Sequence, residues 1–153
     1  MKEKVIISGC LAGLHCRYDG GTHVLDRLLE LSKRYDLVPV CPEQAGGLAT
    51  PRIPCELQAP VEKILSGQGK ILNRQGMDCT RAFIRGAGET LHIAHLLDIH
   101  KAILKEGSPS CGTRRIYDGT FTGKTVPGSG ITAKVLSDAG IHIYSEEEIG
   151  EML

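Results

Sequence analysis

Four short apolar runs punctuate the chain at residues 5–8, 36–40, 102–105 and 141–144, and between them apolar residues recur at helical spacing. Strands that alternate with helices must be joined by right-handed crossovers, so this pattern predicts an α/β fold: a mainly parallel sheet of about four strands with helices on both faces. Leu25, Leu28 and Leu29 predict a helix running to about Arg34, with Thr22 as its cap. Pro39 places the second strand at an edge, because proline cannot donate to a ladder. Thr80 is positioned to cap a long helix reaching about Ile99, with Phe83, Ala87, Leu91, Ala94 and Leu97 as its apolar stripe. Ile131, Val135, Leu136 and Ala139 line a further helix that Gly140 stops, and Ser145 with Glu148 forms a capping box for a short terminal one. Residues 41–60 hold four of the seven prolines and read as a functional loop, as do residues 106–130; residues 67–76 read as a polar turn or hairpin tip.

Length and composition narrow the function. With 153 residues the chain is expected to form one domain, 1–153. Eighteen basic residues balance eighteen acidic ones, which argues against gripping duplex nucleic acid by charge. Aromatics are 4% with no Trp, too few for a broad base-stacking platform. No apolar run reaches the ~18 residues that span a bilayer, and the N-terminal apolar stretch is too short for a signal-peptide core. The expectation is a cytoplasmic protein, a monomer or small homo-oligomer, with no membrane partner.

Six cysteines then need a reason, and no two have C-x-x-C spacing. Cys10 falls just past the first predicted strand, Cys41 at the end of the second, and Cys111 in the loop after the third. In a parallel sheet these loops share one edge, and ligands bind in the crevice beyond the strands' C-terminal ends. Three soft ligands brought together there suit zinc or an iron–sulfur cluster. Three buried inert thiols, or a thiol or persulfide redox site, are the competing readings. Cys16, close after Cys10, is a candidate fourth ligand or resolving thiol, whereas Cys55 reads as a packing residue and Cys79, at a helix start, is a lesser candidate for a thiol activated by the helix dipole. The tripeptide Tyr-Asp-Gly occurs at 18–20 and again at 117–119, which predicts two similar tight turns.

Longer blocks carry a resemblance. They are Ser8-Gly9-Cys10-Leu11-Ala12-Gly13 with Arg17-Tyr18-Asp19-Gly20-Gly21, then Cys41-Pro42-Glu43-Gln44-Ala45-Gly46-Gly47 running on to Pro51-Arg52. A third is Ser108-Pro109-Ser110-Cys111-Gly112 with Tyr117-Asp118-Gly119-Thr120-Phe121 and Pro127-Gly128-Ser129-Gly130. Over nearly its whole length the chain resembles the small thiouracil desulfidase family. The resemblance implies a Rossmann-like α/β protein with a 4Fe–4S cluster on three cysteines, whose fourth iron is open to the substrate sulfur. It implies removal of sulfur from thiolated uracil, such as 4-thiouracil or its nucleotide, to give the oxo-base and hydrogen sulfide. Carried over by motif, the ligands are Cys10, Cys41 and Cys111, the cysteines that the strand ends also select. Related domains fused to a further domain act on thiolated tRNA; no such extension is expected here.

That chemistry assigns roles. Sulfur must become a leaving group, a water must be activated, and a proton must reach the departing atom. Glu43 is the candidate acid/base, and Ser108 and Ser110 are candidate catalytic hydroxyls. Arg17, Tyr18, Asp19 and Arg52 sit in the motif loops as candidate substrate contacts. Gly128, Ser129 and Gly130 open a predicted helix and are candidates for holding a phosphate on free N–H groups. A zinc- or nucleotide-binding module without catalysis, or a persulfide sulfur carrier, is the alternative to an enzyme. The histidines read as structural or solvated, with His15 and His23 near the first loop.

Overall fold

The computed structural model describes residues 1–153. Its sheet has four parallel strands in the order β2-β1-β5-β8: β1 (Glu3–Ser8), β2 (Tyr35–Val40), β5 (Lys101–Leu104) and β8 (His142–Ser145). Alternation along β1 divides the core in two. Val5 and Ile7 face Leu31 of α1 (Leu28–Arg34), Ile103, Ile149 and Met152. Ile6 faces the opposite layer, with Ala94 of α4 (Thr80–Leu96) and Ala133 and Leu136 of α5 (Ile131–Asp138). Helices therefore cover both faces. β2 is an edge strand, and Pro39 stands opposite Ile7 where its missing N–H costs the interior nothing.

The chain passes from β1 to β2 on one side, then returns across β1 to β5 on the other. That reversal opens a crevice between the β1 and β5 loops. Two small ladders wall it. β3 (Cys55–Leu57) pairs antiparallel with β4 (Ile71–Asn73) around α3 (Val61–Leu65), and β6 (Arg115–Tyr117) pairs antiparallel with β7 (Thr125–Pro127). The short helix α2 (Pro42–Ala45) follows β2 directly.

Several local expectations shift. α1 starts at Leu28 rather than after Thr22, because Leu25 instead takes part in a loop ladder, its N–H donating to Leu11 C=O at 3.0 Å. Leu97 ends the long helix exposed rather than extending its stripe. The 67–76 turn does contain a hairpin strand, β4, and the 41–60 and 106–130 loops each contribute strands. The capping box at Ser145 and Glu148 is present, but it caps a 3₁₀ turn. No helix is long and apolar enough to cross a membrane.

Candidate active site

A cavity of ≈ 350 Å³ occupies the crevice. Cys10 reaches it from the 3₁₀ turn Gly9–Ala12 that ends β1, Cys41 from the N-terminal end of α2, and Cys111 from the turn after β5. All six cysteines are free thiols. Burial pushes the Cys10 thiol up to about 11, and the nearby Glu43 carboxylate adds to the rise. Burial, then Glu43, raises Cys41 and Cys111 as well. Cys16 lines the same cavity, and its C=O accepts from Cys41 Sγ at 3.6 Å. Burial, with Cys41 next, pushes Cys16 to about 12.

Backbone close approach fixes α2. A Cβ on Gly46 would meet the Ala82 carbonyl oxygen of α4, and one on Gly86 of α4 would meet the Pro42 carbonyl oxygen. Only two glycines let these helices touch main chain to main chain, and that contact sets where Cys41 and Glu43 stand. The Glu43 side chain is 12% exposed and pairs with Arg52 Nη2 at 3.5 Å. Burial raises the Glu43 carboxyl above the ordinary range, against the opposing pull of Arg52. Arg52 also donates to Cys16 C=O at 3.0 Å, and its own N–H donates to Tyr18 C=O at 2.7 Å. One arginine thus stitches the first motif loop to the second.

The other candidates divide. Ser108 lines the cavity, and its Oγ accepts from the N–H groups of Ser110 and Cys111 at 3.1 and 3.0 Å. Both lone pairs are thereby taken and the hydroxyl proton stays free to donate. Ser110 is wholly buried, its hydroxyl 2.7 Å from that of Thr132, outside the cavity wall. Arg17 and Tyr18 line the cavity; Arg17 leans on His23 Nδ1 at 2.6 Å. Asp19 turns away, its carboxylate accepting from Gly21 N–H at 2.9 Å and lying 3.5 Å from Arg17 Nε. Gly128 and Ser129 line a different cavity, of ≈ 410 Å³, beyond β6 and β7. The N–H groups that open α5 are already engaged. Gly130, Ile131 and Thr132 N–H donate to the Gly112, Pro109 and Ser110 carbonyls, packing the helix start against the Cys111 loop.

Glu56, Arg74, Phe83, Lys105, Glu106, Tyr117 and Phe121 also line the cavity without having been site candidates from sequence, and Cys55, expected only to pack, is part of the same wall. The two Tyr-Asp-Gly turns, in contrast, do resemble each other. In each the Asp side chain accepts an N–H two residues on, from Gly21 or Thr120, and the glycine has φ near +80 or +92.

A crevice at the switch point of a parallel sheet, lined by five thiols, three of them at separate strand ends, and by a buried carboxylate, is suited to metal-assisted chemistry on a small molecule. The comparisons agree. Residues 5–148 match the family model for 2-thiouracil desulfurase, and the chain belongs to that family. It is 41% identical to the uncharacterized protein YbbK of Bacillus subtilis (strain 168), over 97% of this chain and 99% of YbbK. It also matches the solved structure of the [4Fe-4S]-dependent thiouracil desulfidase TudS, with a TM-score of 0.87 and 41% identity, covering 98% of this chain and 95% of that one. The chain is thus a homologue of a thiouracil desulfidase.

Proposed function

We propose that this protein is a 4Fe–4S-dependent desulfidase that converts thiolated uracil, 4-thiouracil or its nucleotide, and water into the oxo-base and hydrogen sulfide. The observation that carries the reading is the meeting of Cys10, Cys41, Cys111 and Glu43, from three separate strand ends, on one cavity. The donor set fits the cluster. Three free, neutral thiols are soft donors that lose their protons to a metal.

Cys10, Cys41 and Cys111 would hold the cluster, which when bound supplies a Lewis-acidic iron, free of protein ligand, to take up the substrate sulfur. Glu43 is placed to accept a proton from the water that attacks the thiocarbonyl carbon and to return it to the departing sulfur. Arg52 fixes that carboxylate. Ser108 donates its remaining hydroxyl proton into the cavity, toward the heteroatom that gains charge. Arg17 and Tyr18 stand at the mouth as substrate contacts.

The test is anaerobic reconstitution with iron and sulfide, counting both per chain, with loss of 4-thiouracil absorbance followed in the same sample. The expected result is about four irons per chain, with turnover abolished by Cys10→Ala, Cys41→Ala or Cys111→Ala. Absence of both cluster and turnover overturns the reading.

A further inference from the structure

Four of the six aromatic residues, Tyr18, Phe83, Tyr117 and Phe121, line this one cavity of an aromatic-poor protein. Phe121 has φ +58, a left-handed backbone that a bulky side chain adopts only when something compels it. The agent is Glu56, buried on β3 and itself in the cavity wall. Its Oε1 accepts from Gly119 N–H at 2.9 Å and Phe121 N–H at 3.2 Å, gripping both sides of the loop tip. The next outward residue of the same segment, Gln58, donates to Gly119 C=O at 3.1 Å. Gly119 presses so closely on β3 that a Cβ there would stand 2.8 Å from Leu57 C=O. Arg74 completes the arrangement: its guanidinium, also in the cavity wall, lies 5.9 Å from the Phe121 ring centroid and braces the ring from one side.

Strain held by a buried carboxylate, with an aromatic ring as its product, is unexplained by packing alone, since Phe121 is only half-buried. We propose that Phe121 is the stacking surface for the planar pyrimidine and that Glu56 is a positioning residue that sets it. This deepens the desulfidase reading and rests on it. Stacking on one ring tolerates any flat heteroaromatic base, so the thiocarbonyl, rather than the ring edge, is what the rest of the site selects.

Steady-state kinetics on the reconstituted enzyme with 4-thiouracil separates the possibilities, with iron per chain and melting temperature recorded for every variant. Phe121→Leu is expected to raise KM about tenfold, with a smaller loss in kcat and unchanged iron content. Phe121→Tyr restores KM. Glu56→Ala raises KM in the same way, and Glu56→Gln, which keeps an oxygen for both amides, restores it to within about twofold. Phe121→Gly melts above Phe121→Ala, because glycine adopts the left-handed backbone without strain. A Phe121→Leu enzyme whose KM stays within about twofold of wild type overturns the proposal, as does a Glu56→Ala enzyme that loses kcat at unchanged KM. Wild-type enzyme that loads its cluster and leaves 4-thiouracil intact overturns the parent reading and this one with it, before any variant is compared.

Discussion

Ser110 and Thr132 are both fully buried, and their hydroxyls stand 2.7 Å apart, so each satisfies the other where no water can. Their neighbour Ser108 lines the cavity and accepts two N–H groups with its oxygen. Two serines flanking one proline thus do different work, and sequence alone gave them equal claims. Removing one partner of a buried pair strands the other, which costs about 1–3 kcal/mol, whereas removing both is nearly neutral. Ser110→Ala should therefore lower stability by that amount and leave KM for thiouracil unchanged. Ser110→Ala combined with Thr132→Val should recover most of the loss in denaturant titrations. Ser108→Ala should also lower stability, because it strands the buried Ser110 and Cys111 N–H groups, but unlike Ser110→Ala it should lower kcat as well. Equal loss of kcat in both single variants would return Ser110 to the reaction.

The elements divide by what their own sequence can announce. β1, β5 and α5 announce themselves, because an apolar run and a helical stripe are local properties. β3 and β4 were hidden: each is three residues long, and Glu56 sits inside β3 as a charge with its partners, Gly119 and Phe121, 63 and 65 residues away. The α2–α4 contact was equally silent, since Gly86 and Gly88 look alike in a helix. Space distinguishes them. A Cβ on Gly88 meets nothing within 4 Å, whereas one on Gly86 strikes the Pro42 carbonyl. Gly88→Ala should raise stability by about 0.5–1 kcal/mol through helix propensity. Gly86→Ala should lower it by about 1–3 kcal/mol as an overpacked contact, despite the same propensity gain. It should also lower turnover, because the shift falls on Pro42 and hence on Cys41 and Glu43. Thermal melts of the two variants side by side check the first claim, and kcat per bound cluster checks the second.

At the scale of the molecule, the site was legible because topology is readable even when contacts are not. Strand ends locate Cys10, Cys41 and Cys111 on one edge whatever the details of packing. What topology could not supply was the way the Cys111 loop is held down. Glu106, 3% exposed, does this by accepting from Thr113, Arg114 and Arg115 N–H at 2.8, 2.9 and 3.1 Å and from the Thr113 hydroxyl at 2.6 Å. Burial raises its pKa, but these hydrogen bonds outweigh burial and hold the carboxyl below its ordinary value. Glu147 and Glu148, which pair with Arg115 and Arg114 on the same loop, are lowered too, chiefly by a hydrogen bond from Arg115 and from Ser145 N–H respectively. A depressed folded-state pKa contributes stability that is complete above the unfolded value, about 4.3 for glutamate, and is lost as pH falls through the folded value. The eighteen acidic residues that balance the bases at neutral pH also protonate in that range, so repulsion among the remaining positive charges adds to the loss. Melting temperature should accordingly stay level down to about pH 5 and fall steeply below about pH 4. Glu106→Gln should start lower at neutral pH and show a shallower acid limb, since its contribution is already gone. An acid limb identical to wild type in that variant would show that the Glu106 hydrogen bonds do not hold the fold, and that the acid sensitivity belongs to the exposed pairs alone.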